Sequence, residues 1–83
     1  MPLITKQQAR RSGIPSNTLQ TILMPSKYSL VQAKAWLAEH HYANGYYRTI
    51  RNYRRFMQTP PIRGAEYFSK VLPNGVELVF QTY

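Results

Sequence analysis

The clearest element in the chain is the run SLVQAKAWLAEHHY at residues 29–42, and it limits the fold more than any other feature. At about 100° per residue, Leu30, Ala33, Trp36, Leu37 and His40 fall on one face of a helix. Gln32 and Glu39 lie opposite, and Lys34 flanks the stripe. Ser29 is placed to cap the N-terminus, while Ala33, Ala35 and Ala38 raise helix propensity and let a sheet approach closely. Asn44-Gly45 supplies residues that tolerate positive φ and is expected to end the excursion.

After Gly45 the period changes from 3.6 to 2. Residues 46–50 and 52–58 read as two strands, or one interrupted strand, rich in Tyr, Ile and Phe, closed by Thr59-Pro60-Pro61. Residues 66–72 and 76–81 alternate around Pro73-Asn74-Gly75 and form the strongest hairpin signal in the chain. Upstream, Leu19, Thr21 and Leu23 alternate with Gln20, Ile22 and Met24 in a first strand that ends at Pro25 and turns through Ser26-Lys27-Tyr28. The order β-α-β-β-β-β follows: an α+β fold, one amphipathic helix packed on a small antiparallel sheet, with Trp36 and Leu37 as the helix's contribution to the core. Residues 18–83 make one compact domain. Residues 1–17 read as a basic arm, flexible or ordered by a partner, in which Thr5 can cap a short turn over residues 6–11 before Gly13 and Pro15 interrupt it.

Eleven Lys/Arg against three acidic residues, Glu39, Glu66 and Glu77, give a net charge of +8. Such a chain attracts phosphates, other polyanions and acidic protein surfaces without choosing among them. The absence of cysteine excludes disulfides and thiolate metal sites and points to a reducing compartment or a virion interior. No apolar run approaches the ~18 residues of a membrane span, and the N-terminus lacks the apolar stretch of a signal peptide. The expectation is a soluble protein of the virion or the host cell interior, neither secreted nor partnered with a membrane.

The stretch RTIRNYRRFMQ, residues 48–58, interleaves arginines with aromatic residues as nucleic-acid surfaces do. Strand alternation divides it: Phe56 shares a face with Arg54, and Arg55 shares the other with Tyr53 and Met57. Candidate partner- or phosphate-binding residues are Arg48, Arg51, Tyr53, Arg54 and Arg55, with Lys6, Arg10 and Arg11 of the arm. No RNA-recognition signature, zinc-finger spacing or helix-turn-helix pair accompanies them. His40 and His41 point about 100° apart on a helix and cannot grip one ion together; at a helix C-terminus they suit the negative end of the dipole. Paired carboxylates, a Gly-rich phosphate loop and a nucleophile elbow are all missing, so no enzyme, cofactor, metal or small-molecule substrate is expected.

KYSLVQAKAWLAEHHY and NYRRFMQTPPIRGAEYFSKVLPNGVELVF together resemble a small uncharacterised domain of bacteriophage and large-DNA-virus proteins, found alone or attached to virion-morphogenesis proteins. Ala33, Lys34, Trp36 and Leu37 meet its helix motif, and Asn52, Tyr53, Arg55, Phe56 and Gln58 its strand motif. Arg54 stands where that domain often has a second Tyr, and Met57 where it often has Arg. The resemblance covers residues 19–80, leaves the arm outside, and implies a viral context and a fold without an activity. Two functions are therefore expected. The first is a non-enzymatic virion or assembly component that contacts larger viral proteins; the alternative is a module binding the DNA or RNA phosphate backbone through the arm and the Arg48–Arg55 surface.

Overall fold

A computed structural model describes residues 3–83. Its elements are α1 (Lys6–Arg11), β1 (Asn17–Pro25), α2 (Leu30–Glu39), β2 (Tyr47–Ile50), β3 (Tyr53–Met57), β4 (Glu66–Val71) and β5 (Glu77–Thr82). The strands form one antiparallel sheet in the order β2-β3-β1-β5-β4. The chain is thus an α+β fold in which the β-α-β-β-β-β order is preceded by a short helix.

One face of the sheet carries α2. Ile22 and Met24 of β1, Phe56 of β3 and Val76 meet Ala33 and Leu37 of the helix in a fully buried cluster. Burying the larger of these side chains stabilises the fold by roughly 1.5–3 kcal/mol each. Trp36 packs on the cluster from its rim rather than at its centre, half-buried and stacked on His40, with ring centroids 4.0 Å apart.

Both ends of α2 are satisfied locally. Ser29 Oγ accepts from Gln32 N–H while Gln32 Oε1 accepts from Ser29 N–H, a reciprocal capping box. At the other end Tyr42 N–H donates to Leu37 C=O and His41 N–H to Ala38 C=O, with His41 in the left-handed region at φ 62°. This is a Schellman ending, and its apolar contact is Tyr42 against Trp36. The left-handed position falls on His41, upstream of the expected Asn44-Gly45, because there Tyr42 can fold back onto the tryptophan.

The described part of the arm is ordered on the chain itself; residues 1 and 2 lie outside the described residues. Ile4 forms a bridge with Ile62, its N–H donating to Pro61 C=O and its C=O accepting from Arg63 N–H. Thr5 caps α1 through its own capping box with Gln8, and Gly13, at φ 76°, closes the helix. Ala9 and Ile62 are buried, so the short helix has the apolar footing its sequence alone does not reveal.

An uncovered sheet face as candidate binding site

Opposite α2, the sheet presents a second face, built from the alternate residues of each strand. The β1–β3 and β2–β3 registers set Arg48 beside Arg55 and Arg55 beside Leu23, and the β1–β5 register continues the row to Glu77. Neighbouring rows hold Ile50, Tyr53 and Pro25 on one side, and Met57, Thr21, Val79 and Ser69 on the other. The chain returns over one end of this face. Gln81, fully buried, accepts from Ile62 N–H at 3.1 Å through Oε1 and donates to Pro60 C=O at 2.9 Å through Nε2. These two bonds hold the 60–62 segment against the sheet, and the arm is paired to that segment.

What remains is a trough of about 380 Å³ edged by Leu3, Tyr46, Pro61 and Tyr67, with Arg48, Arg55, Gln20 and Met57 along it. A shallower, mainly apolar depression formed by Thr21, Leu23, Ile50, Tyr53 and Val79 adjoins it across Arg55. Arg55 therefore stands at the junction of a mixed, arginine-bearing hollow and an apolar one.

The Gln20 side chain reaches this face, beside Arg55, through an irregularity in β1. The β1–β5 register shifts between Leu19 and Thr21, leaving Gln20 as the extra residue of a bulge. A bulge turns successive side chains toward one side of a sheet, and here both Gln20 and Thr21 line the uncovered face. Strict alternation had set Gln20 with Ile22 and Met24 on the other side. Gln20 donates through Nε2 to Thr59 C=O and accepts from Arg55 Nη2 at 3.4 Å, the long end of the range. Its own carbonyl accepts from the N–H groups of Gln58 and Thr59. No glycine or proline marks the bulge in the sequence, and side chains alternate strictly only along an even pleat.

The eight candidate residues do not form one surface. Arg48, Tyr53 and Arg55 are brought together on the uncovered face. Arg51 occupies the two-residue turn between β2 and β3, left-handed at φ 48°. Arg54 lies on the helix side and donates from Nη1 to Tyr28 C=O at 2.8 Å, tying β3 to the turn before α2. In the arm, the Arg10 guanidinium lies 5.9 Å from the centroid of the Tyr83 ring, and Lys6 passes over Gly64. Arg11 is exposed in the last turn of α1. Tyr46, Tyr67, Met57 and Gln20 join the face without having been singled out as site residues.

His40 has a structural use. Its Nδ1 lies 2.7 Å from Trp36 C=O, and a carbonyl only accepts, so that nitrogen carries the proton. Among the described residues no three His, Asp or Glu side chains gather as a metal site would require, and no helix is long and apolar enough to cross a membrane. Comparison of the chain with protein-family models, with curated proteins and with solved structures gives no match.

Proposed function

We propose that this chain is a non-enzymatic docking module that binds an acidic segment of a larger protein on the uncovered sheet face. The observation that carries the reading is the make-up of that face: Tyr46, Tyr53, Tyr67, Arg48, Arg55 and Met57 with no lysine. Lys6, Lys27, Lys34 and Lys70 all lie on other parts of the molecule. Tyr, Arg and Met are enriched where proteins bind proteins, whereas Lys is depleted there. Arg48 and Arg55, neighbours in register, offer a paired fork to a carboxylate, and the adjoining apolar depression accepts a side chain next to it. The setting we propose, a minor virion or assembly component, rests on the resemblance of the helix and the Asn52-to-Gln58 segment to the viral domain.

A second reading keeps the nucleic-acid alternative, because the same tyrosines and arginines suit stacked bases and phosphates. Titration of isotope-labelled protein with a panel of acidic-aromatic peptides and with single-stranded oligonucleotides separates the two. Peptide-induced shifts centred on Arg48, Arg55 and Tyr53, lost in the Arg48→Glu/Arg55→Glu variant, support docking. Shifts on that face from oligonucleotides alone, weakening steeply with salt, support nucleic acid. Binding of either kind that leaves the face unperturbed overturns both.

A further inference from the structure

The two edges of the sheet differ in a way that bears on self-association. Edge strand β2 is shorter, and its two-fold pairing centred on Arg48 would set that cation against its own copy. Edge strand β4, EYFSKV, is exposed along its whole length, and among the described residues no strand lies beyond it. Tyr67 and Phe68 are each 48% exposed and Val71 is 62% exposed.

The direction of the free main-chain groups follows from the β4–β5 turn. Leu72 N–H donates to Val76 C=O at 2.8 Å, and these two residues continue the β4–β5 register. Bonded and non-bonded pairs alternate along an antiparallel ladder, so Lys70, Phe68 and Glu66 bond inward to β5. Tyr67, Ser69 and Val71 are left with N–H and C=O groups aimed outward.

We infer that β4 pairs with β4 of a second copy of this chain, antiparallel, about a two-fold axis perpendicular to the sheet at Phe68. In that register Glu66 opposes Lys70 of the other copy, Phe68 opposes Phe68, and Tyr67 exchanges main-chain bonds with Ser69. Glu66, Phe68 and Lys70 lie on the helix-side face, and all three pairs they make fall at non-bonded positions, where side chains approach most closely. The neighbouring two-fold registers, centred on Tyr67 or Ser69, set Glu66 or Lys70 against Phe68 and forfeit both ion pairs. Phe68 already stacks on Phe80 at 5.2 Å, so the pairing makes a row of four rings across the junction. The product is a continuous ten-stranded sheet, weakly held because an edge-to-edge contact is small.

Sedimentation equilibrium over about 10 µM to 1 mM tests this, the range that a contact of this size demands. Wild-type protein is expected to dimerise, and Glu66→Lys or Lys70→Glu alone to raise the dissociation constant about tenfold or more by opposing like charges twice. The double exchange Glu66→Lys/Lys70→Glu restores the wild-type constant to within about threefold, a rescue that loss of folding cannot mimic. Because the chain has no cysteine, Phe68→Cys reads the register directly. It cross-links to itself under mild oxidation at a rate that the added Lys70→Glu change suppresses. A monomer at 1 mM overturns the inference, and so does a dimer indifferent to the charge exchange.

Discussion

His41 and Arg51 hold left-handed main-chain positions without being glycine, at φ 62° and 48°. Such a conformation costs an L-residue roughly 1–2 kcal/mol, part of which a glycine's extra freedom in the unfolded chain offsets. His41→Gly is therefore expected to stabilise the fold by about 0.5 kcal/mol, read as a small rise in denaturation midpoint. Gly75→Ala runs the other way. At φ 89°, with the added Cβ 3.4 Å from Pro25, it is expected to cost about 1–2 kcal/mol. Gln81→Leu has a different signature, because it removes the acceptor of a buried N–H, that of Ile62. An orphaned buried donor costs about 1–3 kcal/mol, and the variant also frees Pro60 and Pro61, so protease cleavage near residues 60–62 should rise before global unfolding does.

The two helices share a capping device but differ in what lies beneath them, which separates their responses to the same change. Ser29→Ala removes the cap of a helix whose Ala33 and Leu37 belong to the core. It is expected to cost about 1 kcal/mol and lower the midpoint by roughly 4–8 °C. Thr5→Ala acts on a six-residue helix with one buried side chain, Ala9. There the expected result is faster amide exchange in residues 6–14 with almost no change in the global midpoint. Helix α2, its cap and the closing hairpin are legible because their signals are local: a 3.6 period, a serine ahead of it, and Pro-Asn-Gly between alternating runs. The split of the arginines was legible for the same reason, since Phe56 and Arg54 had to share a face and Arg55 had to oppose them. The docking of the arm and the side taken by Gln20 were not. One depends on Ile4 meeting Ile62 far along the chain, the other on a bulge whose extra residue, Gln20, bonds to the distant 58–59 segment.

Across the whole molecule, eleven cations against three acidic side chains repel one another in the compact state. Screening by salt relieves that repulsion, so raising sodium chloride from about 20 to 300 mM is expected to increase the thermal midpoint, and Arg48→Glu/Arg55→Glu should blunt the increase. The strand order carries a consequence of timing. Strand β1 lies between β3 and β5, with Leu19 set against Phe80, so β1 waits for β5 before both its edges are closed. Until β5 arrives, the middle of the sheet is itself a bare edge, exposing Leu19, Ile22 and Leu23 to any strand that reaches them first. Folding dominated by such distant pairings belongs in the millisecond-to-second range, and a chain stopped at Gly75 should collapse without cooperativity and associate with itself. During synthesis the interval before residues 77–82 appear is therefore when this protein is most exposed to a wrong partner, and a strand-binding chaperone would find β1 there.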